Sequence, residues 1–186
     1  MADLEIRIGG RSVRAARGNI VHARTEAIVN AANSMLAGGG GVDGAIHAAA
    51  GPELYDLTRP FGGCPTGSAV ITAAGRIPPP TRRIIHAVGP RYSSRRDAEC
   101  AAELAGVYAK SLELAASERL RSIAFPAIST GIYGYPIAKA APIAVDTVLS
   151  YLREARGLEP DVLQLVLFVL FSDADLAAYM NVFATR

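Results

Sequence analysis

Cysteine, tryptophan and long apolar runs are what this chain has least of. Its 186 residues contain two cysteines and no tryptophan. Cys64 and Cys100 stand in no metal-ligand spacing and are too few for a disulfide framework, so neither a thiolate metal centre nor cross-linking organises the chain. The longest apolar run, Val162 to Phe171, is broken by Gln164 and falls well short of the roughly 20 residues a membrane span needs. No leader of secretory type is visible, nor any repeat of solenoid period. Charge of one sign is not in excess: 19 Lys and Arg against 17 Asp and Glu leave a net +2. The arginines are dispersed apart from Arg82-Arg83 and Arg95-Arg96, which fits a solvated surface and not the clustered stripe of a nucleic-acid binder. A Gly-x-Ser-x-Gly nucleophile elbow is also missing.

With 51% hydrophobic residues, the chain is long enough for one sizeable core and short for two. Pro78-Pro79-Pro80 and the stretch Arg91 to Asp97 flank no change of composition and read as surface connections. The expectation is one domain over residues 1–186, monomeric and cytoplasmic, with no membrane contact, metal or cofactor.

Glycine is concentrated where the chemistry should be. An apolar strand near Ala27 to Asn30 leads through Asn33 into Gly38-Gly39-Gly40-Gly41, and a helix should start at Val42. Glycines without Cβ let backbone N–H groups approach a ligand, and the helix start adds a partial positive charge. Asn30 and Asn33 stand at the carboxyl end of the strand, where open α/β sheets bind ligands, and their amides can donate to and accept from sugar hydroxyls. Asp43 is the only acid in the segment. A second unit repeats the design: a strand over Ser122 to Pro126, the loop Ala127-Ile-Ser129-Thr130-Gly131-Ile132-Tyr133-Gly-Tyr-Pro136, then an alanine-rich helix. Two such units facing one crevice suit a diphosphate, with Tyr133 offering an aromatic face to a sugar ring.

Strands are expected near Leu4 to Ile8, Ser12 to Ala16, Ala27 to Asn30, Ser68 to Thr72, Arg83 to Val88, Ser122 to Pro126 and Leu163 to Phe171. Helices are expected near Val42 to Ala50, Pro52 to Thr58, Asp97 to Glu118, Ile137 to Arg156 and Asp173 to Ala184. The alternation predicts a three-layer α/β/α sandwich around a mixed, mostly parallel sheet, with an opening hairpin turned at Gly9-Gly10.

The segments Asn30-Ala-Ala-Asn33, Leu36, Gly38-Gly-Gly-Gly-Val-Asp-Gly44 and Ile46-His47, with Gly51-Pro52 after them, resemble the first ligand loop of a macrodomain of the MacroD type. Ile128-Ser-Thr-Gly-Ile-Tyr-Gly-Tyr-Pro136 resembles the second loop. Cys64-Pro-Thr-Gly-Ser-Ala69 and Ile84-Ile-His-Ala-Val-Gly-Pro90 match in the expected order, so the resemblance covers nearly the whole chain. Either glycine loop alone would be weak evidence.

The resemblance implies an ADP-ribose site. Asn33 and Asp43 match residues that contact the distal ribose and support hydrolysis of a group attached there. Gly41, Ser129, Gly131, Ile132 and Tyr133 match residues that line the diphosphate and distal ribose, with Gly40, Val42 and Thr130 beside them. His47, one helical turn after Asp43, shares its face and could orient the acid or the attacking water. Gly18-Asn19-Ile20 stands where the family usually has Gly-Asp-Ile. Asn19 still accepts from an adenine amino group but lacks the charge that roughly doubles such a bond. Phe171 is the candidate to stack on adenine; a core phenylalanine is the competing reading. His86, inside an apolar strand, is expected to be structural, and Tyr92 and Tyr135 to be packing or rim residues.

The implied substrates are O-acetyl-ADP-ribose and ADP-ribose esterified to glutamate or aspartate of proteins, and the implied partners are ADP-ribose, its esters and ADP-ribosylated proteins. Asp43 would activate or orient a water, or a substrate phosphate would hold the water while Asp43 positions the sugar. A reader module that binds ADP-ribose without cleaving it stays open, the pairing of Asn33 with Asp43 being what a reader has no need to keep. An RNA binder using the same cleft lacks the basic aromatic stripe it would require.

Overall fold

The computed structural model describes residues 4–154 and 159–186. Seven strands, β1 (Leu4–Ile8), β2 (Arg11–Arg17), β3 (Ala27–Ala31), β4 (Ser68–Ala73), β5 (Arg83–Val88), β6 (Ser122–Phe125) and β7 (Leu165–Leu170), form one sheet in the order β1-β2-β7-β6-β3-β5-β4. The helices are α1 (Gly41–Ala50), α2 (Glu53–Thr58), α3 (Asp97–Ser117), α4 (Ile137–Glu154) and α5 (Asp173–Phe183). The five central strands are parallel to one another, and β1 and β4 are antiparallel edges.

Side-chain alternation along the strands sends residues to two unequal cores. Val29 of β3, Ile85 of β5, Phe125 of β6 and Phe168 of β7 enter the larger one, with Leu104 of α3, Val145 of α4 and Tyr179 of α5. Ile28, Ile84 and Ala124 face the other way, toward Ile46 and Ala50 of α1 and Leu54 of α2. The three-layer mixed sandwich is as expected. Ile46 is fully buried, a contribution of roughly 1.5–3 kcal/mol to holding α1 on the sheet. The site depends on that position, because α1 carries Asp43.

Element boundaries differ from the sequence reading by a residue or two, each for a local reason. The hairpin turns at Gly9-Gly10, with φ of +53° and +85°, in the left-handed region that a two-residue hairpin turn favours. Strand β6 stops at Phe125, since Pro126 has no N–H for the ladder. Strand β7 starts at Leu165 because Leu163 turns with φ +52° while its N–H bonds the Leu120 carbonyl. Arg156, the expected end of α4, lies outside the described residues. Strand β4 falls where a strand was expected, near Ser68 to Thr72; its antiparallel pairing at the sheet edge had no signature in the sequence.

Candidate functional site

The parallel strands put their carboxyl ends along one edge of the sheet. In spatial order that edge carries Asn19 after β2, Phe171 after β7, the loop 127–136 after β6, the loop 32–40 after β3, and Gly89 to Arg91 after β5. Between the two glycine loops lies a cavity of about 310 Å³, at the lower end of the range for ligand sites. Asn33, Gly40, Gly41, Val42 and Asp43 form one wall, and Ser129, Gly131, Ile132 and Tyr133 the facing one.

The first loop is shaped by Asn33 as much as by glycine. Its Oδ1 accepts from the N–H groups of Met35 (3.1 Å) and Ala37 (3.2 Å), and its Nδ2 donates to the Gly38 carbonyl at 2.8 Å. An amide has two N–H protons, so one remains for the cavity. Gly38 and Gly41 adopt φ of +74° and +60°, whereas Gly39 and Gly40 need no left-handed backbone. Further on, a Cβ at Gly44 would stand 2.6 Å from the Gly39 carbonyl oxygen, so only glycine lets α1 close against the loop. Gly40 caps α1 without a side-chain bond, leaving the first-turn N–H groups to a ligand.

Asp43 is 5% exposed. Its Oδ1 accepts from Asn30 Nδ2 at 2.7 Å and lies 3.4 Å from His47 Nε2. Oδ2 turns toward Gly39: it is 3.2 Å from the point where a Cβ on that glycine would stand, and Asn33 Nδ2 is 3.9 Å from the same point. Burial pushes the Asp43 carboxyl up, while the Asn30 hydrogen bond and the His47 charge pull the other way. A carboxylate raised by desolvation is a stronger base than one in water.

The second loop holds Ser129 at φ +67°, an uncommon state for a residue with a side chain and one that clusters at binding sites. Its buried hydroxyl has no partner among the described residues. Thr130 Oγ1 donates to the Ala127 carbonyl at 2.9 Å and the Tyr135 N–H to the Ser129 carbonyl at 2.9 Å, which fixes the turn. The Arg91 guanidinium lies 4.7 Å from the centre of the Tyr133 ring, and the Tyr92 N–H donates to the Tyr133 carbonyl at 2.9 Å.

Several expected contacts fall elsewhere. Asn30 is fully buried beneath α1, so it serves Asp43 and does not line the cavity. Odd and even residues of a strand face opposite sides, and Asn30 is still inside β3, whereas Asn33 lies past its end. His47 also stays off the lining; its ring packs on Tyr55 with centroids 4.5 Å apart and its Nε2 lies 3.4 Å from Asp43 Oδ1, so its side chain stands behind the acid and not against a ligand. Thr130 braces its loop from behind. Ile20 is a core side chain, 4% exposed in the α1 cluster, which leaves only its backbone for a ligand.

Asn19 and Phe171 lie outside the cavity but close together, because the Gly18 N–H bonds the Leu170 carbonyl at 2.9 Å. Asn19 Oδ1 accepts from the Val21 N–H at 3.2 Å. Phe171 is 78% exposed, which removes the core reading. Tyr135 is a packed residue, 2% exposed, its ring 4.8 Å from that of Tyr92. Sequence reasoning missed Arg91 in the cavity wall; nothing in a charged surface stretch singled it out. Among the described residues no group of His, Cys, Asp and Glu could hold a metal ion, and no helix is long and apolar enough to cross a membrane.

The arrangement has known counterparts. The model of the family described as Macro domain matches residues 29–144. A Macro domain-containing protein of Chlorobaculum tepidum is 48% identical over 172 residues, covering 92% of this chain and 95% of that one. An O-acetyl-ADP-ribose deacetylase of Klebsiella pneumoniae is 48% identical over 172 residues, covering 90% and 94%. Among solved structures, the Oceanobacillus iheyensis macrodomain with ADP superposes with a TM-score of 0.87 at 40% identity, covering 99% of this chain and 96% of that one. A Trypanosoma brucei macrodomain in complex with ADP-ribose gives 0.81 at 37% identity, covering 91% and 68%. With the family model, these similarities and the two facing glycine loops in agreement, the chain belongs to the Macro domain family.

Proposed function

We propose that this protein binds ADP-ribose along the crevice and hydrolyses an ester at the distal ribose, the acyl group being acetyl or a protein carboxyl side chain. The diphosphate rests on the first-turn N–H groups of α1 and on the backbone of the Ser129 to Tyr133 loop, where helix-end charge favours an anion. The distal ribose sits between Asn33 and Asp43 under Tyr133, and the adenine lies outward at Asn19 and Phe171.

In the chemical step Asp43 Oδ2 takes a proton from a water whose oxygen bonds to the ester carbonyl carbon. The tetrahedral adduct collapses with cleavage of the bond from acyl carbon to ribose oxygen, and that oxygen receives the proton from Asp43. Products are a carboxylic acid and ADP-ribose. The observation that carries this reading is the Asp43 carboxylate: buried, raised in basicity, held at Oδ1 by Asn30, with Oδ2 beside Gly39 of the cavity lining. A relative named O-acetyl-ADP-ribose deacetylase supports it.

The test is release of ADP-ribose from O-acetyl-ADP-ribose and from a glutamate-linked ADP-ribosylated protein, with ADP-ribose affinity measured by calorimetry. Turnover that collapses in Asp43→Ala while affinity survives supports the reading. Tight binding with no turnover on either substrate makes the protein a reader instead.

A further inference from the structure

A buried line of polar groups runs from the far edge of the sheet to Asp43, and the hydrolase reading uses only its last member. Thr72 on β4, His86 on β5 and Asn30 on β3 share the face covered by α1 and are 7%, 1% and 0% exposed. Asn30 and His86 are register partners. Thr72 Oγ1 lies 2.9 Å from the Ala73 carbonyl oxygen and 3.0 Å from His86 Nε2. His86 Nδ1 lies 3.2 Å from Asn30 Nδ2, which is 2.7 Å from Asp43 Oδ1.

Followed from its two ends, the line has one set of bond directions that leaves no donor facing a donor. A main-chain carbonyl only accepts, so the single hydroxyl proton of Thr72 goes to Ala73. Toward His86, Thr72 is then an acceptor, and Nε2 must carry the ring proton. Burial holds the His86 ring down to about 4, so it is neutral at physiological pH and Nδ1 offers a lone pair. Asn30 satisfies it with one N–H and gives the other to Asp43. From the opposite end, an ionised Asp43 accepts only, which demands the same amide orientation. The Asn30 carbonyl oxygen is left buried without a partner among the described residues, a state that costs roughly 1–3 kcal/mol and is explained if the amide must present its NH₂ group to Asp43.

We infer that His86 is a positioning residue for the acid: its Nε2–H tautomer, set by Thr72 and the Ala73 carbonyl, locks the Asn30 amide so that Asp43 is gripped at Oδ1 and presents Oδ2 to the cavity. This rests on the proposed role of Asp43, yet the line itself is measurable without turnover.

Thr72→Val keeps shape and removes the acceptor; Thr72→Ser keeps the hydroxyl. In the parent, ¹⁵N spectra of the ring should show His86 as the Nε2–H tautomer. In Thr72→Val that preference should be lost, the Asp43 carboxyl carbon should titrate at higher pH as the Asn30 bond weakens, and kcat should fall about tenfold with KM and ADP-ribose affinity within about twofold. Thr72→Ser should behave as the parent in all of these. An Nδ1–H tautomer in the parent overturns the inference, as does Thr72→Val with an unchanged Asp43 titration. A parent without turnover defeats the hydrolase reading alone, and the ring and carboxyl spectra then decide the positioning line.

Discussion

The two ends of the crevice are built on opposite plans. At the Asp43 end the polar groups are buried or, at Asn33, half-buried, and leave few orientations open: Asn30, His47 and Asn33 each engage a neighbour before any ligand arrives. At the Phe171 end an aromatic ring stands 78% exposed, and Asn19 already spends an acceptor on its own turn. Preorganisation is concentrated where bonds would break, since groups fixed in advance need no reorganisation as charge develops. On the proposed reading the Phe171 end need only offer adenine a surface on which to stack, so substitutions there should change affinity and leave rate and stability alone.

The largest contrast is expected from the acid itself. Asp43→Asn should lower turnover by on the order of 10³-fold with ADP-ribose affinity retained, read by steady-state kinetics and calorimetry. It should also stabilise the fold. The Asp43 carboxyl titrates higher in the folded chain than in the unfolded one, so its contribution to stability is full below the unfolded value and is lost as pH rises through the folded one. At neutral pH the buried charge therefore opposes folding, and the variant should melt a few degrees above the parent, with the gap closing in acid.

Asn33→Ala should come next. It removes a cavity-facing N–H and three bonds that shape the loop, so affinity should drop about tenfold, turnover should drop as well, and the melting temperature should fall. Phe171→Ala sharpens the comparison from the other end. Stacking of a base on an aromatic ring is worth about 1–3 kcal/mol, so ADP-ribose affinity should fall about tenfold with kcat and melting temperature unchanged. The smallest effect is expected from Asn19→Asp, which keeps the turn and adds charge to the acceptor; adenine-containing ligands should bind about threefold tighter. A melting temperature that follows Phe171, or a rate that follows Asn19, would break the division between the two ends.

The same division governs what the sequence could reveal. Loop residues declare themselves: Gly38 to Gly41 between an apolar strand and a helix imply close approach of backbone to ligand whatever surrounds them, and Asn33 and Asp43 lie in one continuous segment. The supporting groups do not. Asn30 and Asn33 look alike on paper, and only the end of β3 decides that one points beneath α1 and the other into the crevice. The line from Thr72 through His86 depends on β4 pairing antiparallel with β5, which no local pattern announces. Phe171 reads as the last residue of an apolar run and becomes a surface ring because β7 ends one residue before it. Arg91 reads as solvated charge until Tyr133, some 40 residues away in the chain, is placed beneath it.

The most direct test of the account is single-turnover hydrolysis of O-acetyl-ADP-ribose followed from acid to neutral pH, for the parent and for Asp43→Asn. The parental rate should rise through one ionisation lying above the ordinary aspartate value of about 3.9, and the variant should lose that limb together with nearly all of its rate while still binding ADP-ribose. Hydrolysis by Asp43→Asn at the parental rate, with the same pH dependence, would contradict the assignment of Asp43 as the base.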